Sequence, residues 1–181
     1  VAASGSALGF EEFEVSRYLL NKALEIQPTQ GRAWVTLGLI DLLDSNLRDA
    51  QKNLEKAVKY MPDHIGSWHV LAWAQLLQNN IEAAELSFLS ALKIDENFGE
   101  THGGLAVIAA MKGKWDQAKE LSKIAKRLDP ESKSPLYAQI LQLQHEGRAD
   151  VAQRITDSVL KNSSMPNGRS LQEILTKYIK T

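Results

Sequence analysis

The chain has 181 residues, and its 21 Lys and Arg against 22 Asp and Glu give a formal charge of −1. Both signs are interspersed, so the uncompensated basic stripe that binds nucleic acid is missing. The absence of cysteine excludes disulfides, thiolate catalysis and zinc–cysteine sites. No window approaches the roughly 20 apolar residues of a membrane span, so this fragment should not insert directly into a membrane.

The N-terminal part of the chain is interpreted as two segments. Residues 1–9 include Ser4-Gly5-Ser6 and are expected to be disordered or a remnant of a tag. Residues 10–30 carry apolar positions at Phe13, Leu20 and Ala23, followed by Pro28, which predicts the second helix of a helical pair. Because no first helix precedes it here, we expect an N-terminal half-repeat, and a chain cut from a longer protein.

From residue 31 onward, the same residue types recur every 34 positions. The clearest columns are Trp34, Trp68, His102, Leu136; Leu37, Leu71, Leu105, Gln139; Gly38, Ala72, Ala106, Ile140; and Ala50, Ala84, Ala118, Ala152. A period of this length predicts stacked supersecondary units rather than one globular core. The frames are 31–64, 65–98, 99–132 and a degenerate unit at 133–166.

Each unit is predicted to be a helical hairpin. Apolar residues recur at helical spacing in two stretches, separated by turn-forming runs such as Asp44-Ser45-Asn46 and Lys112-Gly113-Lys114. Gly38 should face Ala50, so that the paired helices approach closely. A proline such as Pro62 ends the second helix. Alternating runs that would predict strands are absent.

The columns resemble the tetratricopeptide repeat, whose pattern is an aromatic residue, a Leu-Gly pair, spaced alanines and a closing proline. The first full unit departs from the pattern at Asp41, where the family has tyrosine. The resemblance implies an all-α fold, a right-handed α-solenoid of stacked antiparallel helical hairpins with a C-terminal capping helix. It also implies a protein-binding module whose first helices line a concave groove.

Side chains outside the packing columns of the first helices would face that groove. They are Val35, Leu39, Leu42, Leu43, His69, Val70, Trp73, Leu76, Leu77, Gly103, Gly104, Val107, Met111, Tyr137 and Leu141. An idle groove would be filled with polar residues, so this apolar stripe favours partner binding. The alternative is tight superhelical curvature that buries these residues against each other.

The chemistry of the groove narrows the partner. Relatives that capture acidic chaperone tails use a cluster of Lys, Asn and Arg. The matching positions here hold Val35, Leu39, Val70, Glu100 and Gly104. An amphipathic helix or an extended apolar peptide fits better, with Trp73 and Tyr137 as anchors. Gly103 and Gly104 would leave a gap for a ligand backbone, or else mark a frayed helix start.

The sequence offers no catalytic or metal-binding constellation. The four histidines, His64, His69, His102 and His145, form no i, i+4 pair of the kind that helical metal sites use. His102 stands in a tryptophan column and is expected to pack, whereas His69 and His145 could contact a ligand. We therefore predict that the chain is not an enzyme and needs no cofactor.

The C-terminus carries one further predicted element. Pro166 and Asn167-Gly168 predict a linker, and residues 167–181 are expected to form a C-terminal helix. Its apolar face would contain Leu171, Ile174, Leu175, Tyr178 and Ile179. Such a helix would cap the last repeat; the alternatives are that it plugs the groove or contacts a second copy.

Taken together, these features predict a non-enzymatic interaction module, a scaffold or assembly factor of bacterial type. The alternatives are a regulatory or substrate-recruiting domain of a larger enzyme or membrane-anchored protein, or a homo-oligomerisation domain. The sequence does not fix the compartment, since a cysteine-free chain fits the cytoplasm and the periplasm equally.

Overall fold

The computed structural model describes the backbone of residues 2–161 and the side chains of residues 13–158. That part of the chain is all-α, as predicted, and contains no strand. Its helices are α1 (Ala2–Ile26), α2 (Gly31–Leu43), α3 (Leu47–Tyr60), α4 (Ile65–Leu77), α5 (Ile81–Ile94), α6 (Gly99–Met111), α7 (Trp115–Leu128), α8 (Ser134–His145) and α9 (Ala149–Lys161). The hand of the predicted superhelix stays a prediction.

The helices belong to two compact units. Unit 1 includes residues 1–62, where α2 packs against α3 and α1 packs against α2. Unit 2 spans Asp63–Ser158, where α4 packs against α5, and α6 packs against α5, α7 and α8. The first helices α2, α4 and α6 begin at the same position of the repeat, at Gly31, Ile65 and Gly99.

The turn after each first helix repeats one backbone conformation. Four residues at the same position of successive repeats have a positive φ: Ser45 at 63°, Asn79 at 58°, Gly113 at 70° and Gly147 at 73°. The amide that follows each of them bonds five residues back; for example, Asn46 N donates to the Asp41 carbonyl over 2.7 Å. This Schellman arrangement satisfies carbonyls that the helix end would otherwise leave unpaired. The turn-forming runs predicted from sequence therefore end each first helix in the same way, with one residue in the left-handed conformation.

Small residues let the helices approach closely. A Cβ on Gly38 would lie 2.6 Å from Leu54 Cγ and 3.3 Å from the Ala50 carbonyl oxygen, so Gly38 does pack where the sequence predicted. In unit 2, helix α6 is buried without a break from Gly103 to Ala110. Its run of Gly, Ala and other apolar residues suits a helix that contacts three neighbours at once.

In unit 1, a buried charge joins α1 to the first hairpin. Asp41 is 2% exposed and accepts hydrogen bonds from Arg17 of α1 and, over 2.7 Å, from Asn53 Nδ2 of α3. Arg17 also donates to Asp44 over 2.7 Å. These bonds offset the cost of burying the Asp41 carboxylate, which would be several kcal/mol for an unpaired ion. The aspartate that stands where the family has tyrosine thus has hydrogen-bond partners on two other helices.

The structure differs from the predicted boundaries at the N-terminus. Helix α1 begins at Ala2, so residue 10 is not a helix boundary, and residues 2–9, expected to be disordered or a tag, belong to the same helix. The predicted linker and C-terminal helix over 167–181 lie outside the described residues.

Replacing Ser45 with Gly should raise the free energy of unfolding by about 1 kcal/mol, because a left-handed conformation costs an ordinary L-residue roughly 1–2 kcal/mol and glycine almost nothing. Asn79→Gly is the matched control and should gain less, since asparagine tolerates this conformation. Urea denaturation of both variants measures the difference. A loss of stability in Ser45→Gly would contradict the assignment of strain to this turn.

Replacing Arg17 with Met should lower the free energy of unfolding by about 3 kcal/mol, because it leaves the Asp41 carboxylate buried without its cation. The double variant Arg17→Met/Asp41→Leu should recover most of that loss, since no charge then stays buried. Lys52→Met is the control: it removes an exposed partner of Asp49 and should cost far less than Arg17→Met, because water already screens that pair. Equal losses in the single and double variants would show that Arg17 acts through packing alone.

Candidate functional site

The first helices α4, α6 and α8 bring part of the predicted groove together on one surface of unit 2. We call it the first-helix face; its half-buried members are His69, Val70, Trp73, Leu76, Leu77, Met111, Tyr137 and Leu141. Trp73 of α4 and Tyr137 of α8 meet edge to face, with ring centroids 5.8 Å apart. Both rings pack against a buried cluster that includes Ala106, Ala109 and Ala110 of α6. On this face, two aromatic rings therefore cover a layer of small buried residues.

Three predicted groove residues do not line an open surface. Val107 is 4% exposed and belongs to the hydrophobic core. A Cβ on Gly103 would lie 2.6 Å from Ser134 Cβ, and one on Gly104 would lie 2.3 Å from the Phe88 ring. Both glycines are interior to α6 and permit helix contacts. The interpretations as a gap for a ligand or as a frayed helix start were wrong, because the neighbouring side chains fill that space.

The remaining predicted residues lie on α2 in unit 1. Val35, Leu42 and Leu43 are half-buried, and Leu39 is exposed. Whether any of these residues binds a partner stays a prediction.

His69 is held in an apolar corner of the first-helix face. Its Nε2 lies 2.7 Å from Thr101 Oγ1, and its ring meets the rings of Phe88 and Phe98 edge to face, at 5.4 and 5.1 Å. Burial lowers the pKa of His69 to about 4, against a smaller opposite effect of Glu100. His69 is therefore neutral at physiological pH and contributes an uncharged surface.

Glu100 of α6 is engaged by the start of α8. Its carboxylate accepts a hydrogen bond of 3.0 Å from the Lys133 amide and another from the Ser134 hydroxyl. Burial alone would raise the pKa of Glu100, but these bonds, chiefly that from Ser134, hold it below its usual value. A carboxylate at a helix N-terminus is favoured by the unpaired amides and by the helix dipole. Glu100 thus caps α8 and is not free for a ligand.

His102 packs as its column predicts. Its Nε2 lies 2.7 Å from the Glu96 carbonyl oxygen, six residues back, and Trp34 Nε1 donates over 2.7 Å to the Pro28 carbonyl at the equivalent positions. The imidazole therefore takes over the hydrogen bond of the tryptophan that it replaces. His145, the other histidine considered for ligand contact, stacks on Trp115 with centroids 4.5 Å apart.

Sequence reasoning missed a second apolar surface, which lies on the second helices of unit 2. We call it the α5–α7 groove; it has a volume of about 760 Å³. Its apolar lining consists of Leu86, Leu89, Leu92, Ile124 and Leu128, and its polar lining of Ser90, Lys93, Glu96, Asn97, His102 and Arg127.

A signal for this groove was present in the sequence. In the preceding repeat the positions of Leu86 and Leu89 hold Lys52 and Glu55, and in the following repeat they hold Glu120 and Lys123. Among these three helices only α5 places leucine at both positions, and Leu86 is 66% exposed. Comparing charged columns between repeats, as well as apolar ones, would have identified it.

Among the described residues, no group of three or more His, Cys, Asp or Glu side chains is placed to hold a metal ion. Nor does any helix of that part of the chain have the length and apolar character needed to cross a membrane.

These hairpins, repeated at a fixed period and joined by left-handed turns, define a helical-repeat protein. Residues 65–98, which contain α4 and α5, match the family model of the tetratricopeptide repeat. The resemblance stated from the columns is therefore confirmed, and the chain carries a tetratricopeptide repeat at that segment. No curated protein is significantly similar in sequence.

Solved structures share the fold. The crystal structure of MamA is 17% identical, with a TM-score of 0.66, over 100% of this chain and 98% of that chain. PilF of Pseudomonas aeruginosa is 20% identical, with a TM-score of 0.65, over 91% and 77%. YrrB, described as a tetratricopeptide-repeat protein with an unusual peptide-binding site, is 18% identical, with a TM-score of 0.63, over 86% and 81%. At these identities the likeness establishes the fold alone.

The half-buried, neutral His69 predicts a pH-dependent stability. Because the unfolded chain binds a proton near pH 6.5 and the folded His69 only near pH 4, its contribution is complete above pH 6.5 and is lost as the pH falls to 4. Relative to His69→Gln, the free energy of unfolding of the parent chain should fall by about 3 kcal/mol between pH 7 and pH 4.

Urea denaturation at a series of pH values measures this difference. The control is Leu77→Ala on the same helix, which should lower stability by a similar amount at every pH because it changes packing but no titrating group. The lowered pKa of Glu100 acts below pH 4.5 in the same direction, and it is common to both chains. A constant difference between the parent and His69→Gln would contradict the prediction.

Proposed function

We propose that this chain is a non-enzymatic protein-interaction module, of the kind that serves as a scaffold or assembly factor, and that its partner binds on the first-helix face of unit 2. Proteins with tetratricopeptide repeats commonly act by binding other proteins through such surfaces. The observation that carries the choice of face is the Trp73–Tyr137 pair, whose half-buried rings meet edge to face over the buried cluster that contains the alanines of α6. Large aromatic side chains in this setting supply much of the energy of protein interfaces.

The charge of the face favours an apolar partner. His69 is neutral at physiological pH, and the Glu100 carboxylate is already bonded to the start of α8. Around the aromatic pair lie Leu76, Met111 and Leu141. With no unengaged charge among these residues to pair with an acidic tail, the proposed ligand is an extended apolar peptide or the apolar side of an amphipathic helix.

The proposal predicts that peptides selected from a random library against the full chain will require the aromatic pair. Tyr137→Ala should weaken the selected peptides by about 30-fold, which corresponds to about 2 kcal/mol, the threshold of an interface hot spot. Tyr137→Phe should retain binding, because it keeps the ring that packs on Trp73. Fluorescence anisotropy with labelled peptides measures both dissociation constants.

The double variant Leu86→Lys/Leu89→Glu is the matched control. It installs the residues that α3 carries at these positions, Lys52 and Glu55, and leaves the first-helix face intact, so binding should stay within about twofold. The proposed face is wrong if Tyr137→Ala binds as well as the parent chain while remaining folded by circular dichroism. It is equally wrong if the α5 variant abolishes binding, or if no peptide binds at all.

A further inference from the structure

The start of α8 is attached to α6 by a contact that the repeat pattern does not supply. Glu100 of α6 accepts hydrogen bonds from the Lys133 amide, over 3.0 Å, and from the Ser134 hydroxyl. Glu100 and Ser134 are 34 residues apart and so hold the same position in successive repeats, where the two earlier repeats have Arg32 and Gly66. Neither of those residues can accept a hydrogen bond with its side chain. The link is therefore particular to α6 and α8.

The backbone at the start of α8 also lies directly on α6. A Cβ on Gly103 would be 2.6 Å from Ser134 Cβ and 3.0 Å from Pro135 Cδ. Lys133, the residue before the helix, makes no capping hydrogen bond with its side chain, so the cap of α8 comes from the neighbouring repeat. The first turn of α8 is thus held by a close backbone approach and by one carboxylate, that of Glu100.

Tyr137 lies one turn beyond this attachment. It follows Ser134 by three residues and is therefore its neighbour on the same side of α8. Burial raises the pKa of the Tyr137 hydroxyl, and the charge of Glu100 adds to that effect, so the carboxylate is close enough to act on the ring. The place of the Tyr137 ring thus depends on where Glu100 holds the first turn of α8.

The other ring of the aromatic pair is held by different contacts. Trp73 of α4 meets the Phe88 ring edge to face, with centroids 5.9 Å apart, and Phe88 is fully buried. Helix α4 is also joined to α6, where His69 Nε2 lies 2.7 Å from Thr101 Oγ1. Glu100 and Thr101 are consecutive, so the first turn of α6 contacts α8 with one residue and α4 with the next. This turn therefore sets the spacing of the two helices that carry the rings.

We infer that Glu100 is a positioning residue of the first-helix face: by holding the first turn of α8 on α6, it keeps the Tyr137 ring edge to face with Trp73. The consequence for binding rests on the function proposed above, since a partner that contacts both rings needs them together. Edge-to-face contact between rings contributes beyond the area that it buries, and a face that is already assembled costs less to order when a partner binds. Glu100 acts through α8 and not by contact with the partner.

The free chain tests the positioning without any partner. In proton–nitrogen correlation spectra of the full chain, the indole N–H resonance of Trp73, assigned with Trp73→Phe, reports the ring current of its neighbour. Tyr137→Leu gives the position of this resonance without the tyrosine ring. Glu100→Ala should move the resonance toward that position, and Ser134→Ala should move it the same way to a smaller extent. Glu100→Gln should lie between Glu100→Ala and the parent chain, because the amide oxygen still accepts a hydrogen bond.

The selected peptides test the consequence for binding. Glu100→Ala should weaken them about fivefold, the loss expected for one ring contact that is no longer preformed. The matched control is Arg17→Met, which destabilises the chain through Asp41 and Asp44 in unit 1. Under conditions where circular dichroism shows each variant to be folded, Arg17→Met should leave both the Trp73 resonance and the peptide affinity unchanged.

The inference is overturned if the Trp73 resonance of Glu100→Ala and Ser134→Ala coincides with that of the parent chain. It is also overturned if Arg17→Met moves the resonance as far, because the shift would then report general loosening. If Glu100→Ala does not fold, Glu100→Gln and Ser134→Ala carry the same comparison. Peptides that bind the folded Glu100 variants as tightly as the parent chain would show that binding does not need this positioning. If no peptide binds the parent chain, the proposed function fails, and the spectra still decide whether Glu100 positions the rings.

Discussion

Close approach between neighbouring helices is the constraint on which the rest of this structure depends. Gly38 leaves no room for a Cβ beneath Leu54, and Gly104 leaves none beneath the Phe88 ring. At positions equivalent to Gly38, Ala72 and Ala106 are fully buried. Such contacts add dispersion attraction over many atoms, but they need each hairpin to turn back at the same point. The left-handed residue at Ser45, Asn79, Gly113 and Gly147 provides that turn.

Pairs of side chains at equivalent positions of the repeats interact with each other, although the residue types differ from one repeat to another. Asp41 bonds to Asn53, and at the same positions of the next repeat Gln75 accepts a hydrogen bond of 2.7 Å from Ser87. One repeat further, the two positions hold Ala109 and Leu121. The ion pair of Arg17 with Asp44 recurs two repeats further along the chain as Glu85 with Lys112, with the charges exchanged. A buried or half-buried polar group must have a hydrogen-bond partner, whichever residue supplies it. The two residues of each pair therefore differ together from repeat to repeat.

The fold could be predicted from the sequence because its columns are packing positions, and packing at a fixed period leaves few architectures. The candidate site could be predicted only in part. The register of Val107 predicts that it faces the groove. In the structure, however, Trp73 and Tyr137 pack against the cluster that contains Val107, and the valine is buried. Register gives the side of a helix on which a residue lies. It does not give the size of the neighbours that fill the space beyond it. The α5–α7 groove, by contrast, could have been predicted from the sequence, because α5 has leucine at two positions where α3 and α7 have charged residues.

The burial of α6 and the exposure of α5 follow from one uneven distribution of side-chain volume. Helix α6 has glycine or alanine at five of the eight positions from Gly103 to Ala110, so its neighbours approach it and cover it. Helix α5 carries Leu86 and Leu89 at positions where α3 and α7 have charged residues. Those leucines have no neighbour among the described side chains that covers them, and they stay in contact with solvent. Apolar surface that the repeat cannot bury internally is stabilised when another molecule covers it.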